Sequence, residues 1–109
     1  MSAPVTAATP WQWPADVLEF AAKENVQDCL DPLLEATRHL FPTARRIRVI
    51  LEDDPEIRDD WHIVFEVQVP ASDVPNFVEA VHRWNRALYR VCPYALVCIF
   101  RLDLERVSP

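Results

Sequence analysis

Six carboxylates crowd the stretch Glu52-Asp53-Asp54-Pro55-Glu56-Ile57-Arg58-Asp59-Asp60. Carboxylate oxygens are hard ligands, so Glu52, Asp53, Asp54, Glu56, Asp59 and Asp60 have the chemistry to hold a divalent cation. The stretch lacks the glycine and the spacing of an EF-hand loop, and a solvated surface loop is the simpler expectation. His62 follows at once and has the chemistry of a ligand or general base. No Cys or Ser stands near it in sequence. Cys29, Cys92 and Cys98 are three in number and form no Cys-x-x-Cys pair. That pattern fits buried thiols in a reducing compartment better than a disulfide framework or a zinc site. Glu79, His82, Arg83, Arg86 and Arg90 recur at helical spacing. They read as a solvated face, although clustered Arg also suits carboxylate and phosphate recognition by an acidic partner. Trp11 and Trp13 are either a lid on this chain's own core or anchors for a partner, since Trp is enriched at binding hot spots.

These residues need elements to position them. Arg46 to Glu52 alternates Ile47, Val49 and Leu51 with Arg46, Arg48, Ile50 and Glu52, the period of a strand with one buried face. Trp61 to Val69 does the same, with Ile63, Phe65, Val67 and Val69 on one side and His62, Val64, Glu66 and Gln68 on the other. The loop from Asp53 to Asp60 is too long for a two-residue hairpin turn. Pro14 to Glu24 predicts a first helix stopped near Asn25. Gln27 to Phe41 predicts a second, capped by Asp28 or Asp31, with Pro32 early in it and Pro42 after it. A third starts at Ser72 or Asp73 and runs to about Arg90, with Phe77, Val81, Trp84, Leu88 and Val91 as its core stripe. Ala95 to Glu105 alternates again and predicts a third strand.

The chain has 109 residues, half of them apolar, which is room for one domain with one core. Met1 to Pro10 is expected to be a flexible arm, and 11–109 a single domain. Seventeen acidic against 11 basic side chains give a net charge of −6, which disfavours general nucleic-acid binding. There is no Gly, which argues against phosphate cradles and Rossmann loops and predicts a backbone that avoids left-handed positions. No basic-then-apolar start and no membrane-spanning apolar run is present, so the cytoplasm is the default expectation.

The expected fold is therefore α+β: two N-terminal helices, then β-β-α-β, in a three-stranded, mainly antiparallel sheet. A split β-α-β arrangement in the order 2-1-3, with helices on one face, satisfies the handedness rule for the crossover. The second face then carries Ile50, Val64, Val97 and Ile99 as one apolar strip across three strands, flanked by Arg48, Glu66 and Arg101. Exposed contiguous apolar strips are rare in soluble monomers. Two outcomes stay open: helix one folds back over the strip, or a second copy covers it. A non-catalytic protein-interaction module, homodimeric through this face, is the leading functional expectation. Ile50, Val64, Val97, Ile99, Trp11 and Trp13 are its interface candidates, with a second copy and an unidentified protein as partners and no resident cofactor.

Two resemblances add to this reading. Leu51-Glu52-Asp53-Asp54-Pro55-Glu56-Ile57 with His62-Ile63-Val64-Phe65-Glu66-Val67, together with Phe41-Pro42 and Arg83-Trp84, resembles a family of short uncharacterised bacterial α+β proteins. That resemblance implies a fold and no activity. Glu66-Val67-Gln68, on a strand after an acidic loop, resembles the PD-(D/E)xK nuclease motif, with Gln in the place of the Lys. It implies an alternative function as a metal-dependent nuclease-like enzyme using Mg or Mn. Glu66, Gln68 and Asp60 would then be catalytic, and Asp53, Asp54 and Glu66 would hold the metal. Which of Asp53, Asp54 and Asp60 supplies the motif's first carboxylate stays open.

Overall fold

The computed structural model describes residues 11–108. The expected flexible arm, Met1 to Pro10, lies outside the described residues. Helices α1 (Ala15–Lys23) and α2 (Gln27–Leu40) precede strands β1 (Arg46–Asp53) and β2 (Trp61–Pro70). A 3-10 turn (Ala71–Asp73), helix α3 (Phe77–Val91), a second 3-10 segment (Tyr94–Ile99) and strand β3 (Phe100–Val107) complete the order. The fold is α+β, and the two 3-10 segments are additions to the expected order.

The sheet departs from expectation. Its order is β1-β2-β3, so β2, not β1, is the middle strand. β1 pairs antiparallel to β2, while β3 pairs parallel to β2 directly, making the sheet mixed. The reason is in the side chains. His62, Ile63, Val64 and Phe65 are all buried, so β2 is covered on both faces along its first half. Only a strand flanked on both sides meets that requirement, and such strands read as near-continuous apolar runs. The third strand also begins later than predicted. Ile63 faces Phe100 in the parallel register, and Tyr94 to Ile99 coils as the return path from α3.

One face of the sheet carries the core. Val49, Ile63, Phe65, Val67, Val69, Phe100 and Leu104 cluster there with Val17, Ala21, Leu30, Leu33, Trp84 and Leu88 from the three helices. Phe65 is its hub. Its ring lies 5.9 Å from that of Trp84, 6.4 Å from Phe100 and 6.3 Å from Trp13, in tilted or edge-on geometries that the ring quadrupole favours. Trp84 brings a polar N–H into this core. The indole Nε1 donates to Thr37 Oγ1 at 2.9 Å, and the Thr37 hydroxyl donates to the Leu33 carbonyl at 2.7 Å. Thus α2 and α3 are joined by a fully satisfied buried chain of two hydrogen bonds.

Helix ends differ from the expected caps. α2 has Val26 at its N-cap with no side-chain cap bond, and Pro32 lies inside the helix. Asp31 is used elsewhere: its carboxylate accepts from Trp13 Nε1 at 2.8 Å. α3 is capped by Asn76, whose side chain accepts from the Glu79 amide at 3.0 Å, while Ser72 and Asp73 belong to the preceding 3-10 turn. Two backbone positions are left-handed despite the absence of Gly: Asn25 at φ 62° and Asp59 at φ 60°. Asn and Asp tolerate this region best among residues with a Cβ. Asn25 uses it to end α1.

Phe65→Ala is expected to cost about 3–5 kcal/mol through lost transfer energy and the cavity left behind. Thr37→Val removes the hydroxyl that accepts from the buried indole N–H and is expected to cost about 1–3 kcal/mol. Urea unfolding with unchanged slope measures both.

Candidate functional site

The second sheet face is open at Arg46, Arg48, Asp103 and Glu105 and closed at His62 and Val64, and its side chains follow from strand parity. Reading across β1, β2 and β3 at one height gives three rows: Arg46, Gln68, Glu105; then Arg48, Glu66, Asp103; then Ile50, Val64, Arg101. Two of the rows border a shallow cavity of about 140 Å³ lined by Arg46, Arg48, Glu66, Gln68, Asp103 and Glu105. Arg48 Nε donates to Glu66 Oε1 at 2.6 Å. Gln68 Nε2 donates to Glu105 Oε1 at 2.9 Å. The charges are sorted by strand: basic on β1, acidic at these two heights on β3, with β2 between them. Arg101, Asp103 and Glu105 are exposed.

The expected apolar strip is shorter than predicted. Ile50 and Val64 pair across β1 and β2. Val97 and Ile99 instead lie in the 3-10 segment before β3 and pack at the margin of the main core. The residue beside Val64 on β3 is Arg101. Val64 itself is only 4% exposed. Trp11 and Trp13 are half-buried over this chain's own core. Trp13 is edge-on to Trp11 at 5.3 Å, and the Arg38 guanidinium sits 5.7 Å from the Trp11 ring centre.

The residues of the nuclease-like alternative are not brought together. Asp53 pairs with Trp61 at one end of the hairpin, whereas Glu66 pairs with Arg48 well along it. Asp60 and Glu66 are separated by about 17–20 Å at the rise of an extended strand. Gln68 shares the face of Glu66 as expected but is engaged by Glu105. Within the acidic loop, Asp54 Oδ1 accepts from the Glu56 amide at 2.8 Å, and the Asp54 amide donates to the Asp60 carbonyl at 2.8 Å. Among the described residues no group of three His, Cys, Asp or Glu is placed to share a metal ion.

His62 does gain company that the sequence did not reveal. It lines a cavity of about 280 Å³ with Asp60, Cys98 and Lys23. Its Nε2 is 3.7 Å from Asp60 Oδ1, beyond hydrogen-bond range. Cys98 is exposed there, against the expectation of a buried thiol, while Cys29 and Cys92 are buried. Burial pushes the Cys92 thiol up from the ordinary 9.0 to about 12, with Cys29 beside it adding to the shift.

Comparison with family models, with curated proteins and with solved structures finds no match. Among the described residues no helix is long and apolar enough to cross a membrane.

The thiols give a pH prediction. An acid whose pKa is higher in the fold than in the unfolded chain keeps its proton only in the fold. Its contribution is whole below the unfolded value and is lost as pH rises toward the folded one. Stability in urea should therefore fall between about pH 9 and about pH 12, and Cys92→Ala should flatten that fall. A thiol reagent at neutral pH should label Cys98 first and reach Cys29 and Cys92 only on unfolding.

Proposed function

We propose that this protein is a non-catalytic interaction module that pairs with a second copy of itself through the second sheet face. The observation that carries the reading is the segregation of charge by strand. Arg46 and Arg48 lie on β1, and Asp103 and Glu105 lie on β3 at the same heights. A two-fold axis parallel to the strands keeps heights and exchanges left for right. It sets Arg46 over the second copy's Glu105, Arg48 over its Asp103, and Val64 over its Val64. An axis across the strands would instead oppose Arg to Arg. The face thus selects one of two sheet-on-sheet arrangements, with near-aligned strands, a common packing mode.

The cost of this pairing is small at its centre. Glu66 meets its own counterpart near the axis, but each is already neutralised by Arg48. Val64 is almost fully buried within its own sheet and Ile50 lies over the second copy's Arg101, so the contact is mainly one of charge. The three-strand face measures roughly 15 by 25 Å from strand spacing and rise, or on the order of 400 Å² per partner. That is below the roughly 1,000 Å² total of a stable interface, so the association is expected to be weak, transient and sensitive to salt.

Sedimentation at rising micromolar concentration should show a monomer–dimer equilibrium that added salt shifts to monomer. Glu66→Arg, at a partly exposed position on the axis, places like charges there and should give monomer at every concentration, with helical and sheet signals retained. Ile50→Glu, which lies over the second copy's Arg101 at the same height, should instead strengthen the dimer at low salt. A wild-type chain that stays monomeric throughout would refute the reading.

A further inference from the structure

A larger concavity lies on the other layer. It is a groove of about 630 Å³ between α2 and α3, lined by residues of both helices. Its origin is steric. Thr37 and Trp84 hold the two helices together in the interior. Outside that link stand Ala36 and Ala87, too small to fill the space between helix axes about 8–10 Å apart. Pro32 and Leu40 extend the apolar floor.

The rim is basic. Arg83, Arg86 and Arg90 step by three and four along α3, so they share one face of the helix, and His39 stands opposite on α2. Glu35 is the single carboxylate of the lining. In a chain with 17 acidic and 11 basic side chains, this is a local reversal of sign. Arg86 Nη2 is 3.3 Å from Glu79 Oε2, with both side chains more than half exposed, a geometry that binds weakly. Among the described residues neither Arg83 nor Arg90 forms an ion pair.

We propose that this groove receives an acidic, amphipathic helix of a partner protein. Its carboxylates engage Arg83, Arg86 and Arg90, and an apolar side chain sits between Ala36 and Ala87. Guanidinium groups bind carboxylates bidentately and tolerate partial desolvation. A helix laid into a two-helix groove anchors through side chains three and four apart, the spacing on which the three Arg residues stand. A nucleic acid fits less well: a phosphate backbone leaves the apolar floor unused, and the chain's net charge of −6 repels it at long range. The groove and the second sheet face belong to different layers, so this docking is independent of the pairing of two copies.

The test uses the full chain and a fluorescein-labelled helical peptide with Glu on one face and Leu on the other. Anisotropy should show saturable binding that weakens with salt. The same peptide with Lys for Glu, or Ser for Leu, should bind at least about tenfold more weakly, the scale of lost charge pairs and a lost anchor. Arg83→Glu with Arg90→Glu, both on the exposed face of α3, should abolish binding without changing the circular dichroism. Ala36→Leu should weaken it by filling the floor. Binding of the Lys peptide equal to that of the Glu peptide would overturn the proposal. So would tighter binding of labelled single-stranded DNA, or unaltered affinity in the double Arg variant.

Discussion

The central position of β2 is the constraint on which both layers depend. Its side chains alternate between the two faces, and neither face is free solvent along its first half. Phe65 points into the helical layer, where Trp84, Phe100 and Trp13 surround its ring. Val64 points the other way and is buried among its strand neighbours, with Ile50 and Arg101 alongside. A strand with that burial needs a neighbour on each side. Once β1 and β3 take those places, the charges they carry are separated by the width of β2. The dipolar pattern of the second face is therefore a consequence of strand order. With β1 in the middle, as the split arrangement would have it, the Arg residues would lie between two acid-bearing strands and no such pattern would arise.

The helical layer has its own organising contact. Trp84 is almost wholly buried, and burying an indole N–H without a partner is costly. Thr37 supplies the partner, and Leu33 in turn satisfies Thr37. This chain of bonds fixes α2 against α3 at one height and in one rotation. The small residues Ala36 and Ala87 then fall on the outer side of the seam, where they open a groove instead of closing it. A polar contact that serves stability inside thus shapes a surface groove outside.

Much of the secondary structure was legible because periodicity reports burial directly. β1, β2 and the three helices lie close to where their apolar residues recur. Strand order was not legible from the alternation of β1 and β2, which both fit an edge or a centre. What decides it is the unbroken burial of His62 to Phe65, which alternation alone does not report. Alternation also continues through Leu96, Cys98 and Phe100, so the pattern could not locate where β3 begins; only its register against Ile63 does that. The apolar strip lost Val97 and Ile99 for the same reason. Asp31 lies too far inside α2 to cap it and instead accepts from Trp13. The juxtaposition of His62 with Cys98 and the row pairing of Arg46 with Glu105 are long-range in sequence, and no local spacing encodes them.

In the proposed pairing the sorted charges of β1 and β3 meet in reciprocal fashion across a two-fold axis. Mixing two charge-reversed chains tests it most directly. One carries Arg46→Glu and Arg48→Glu, the other Asp103→Arg and Glu105→Arg, and each alone opposes like charges across the axis. Sedimentation should find each chain monomeric by itself and a one-to-one heterodimer on mixing, since every reversed pair then meets its opposite. Chains that remain monomeric when mixed, or that dimerise equally well alone, would contradict the account.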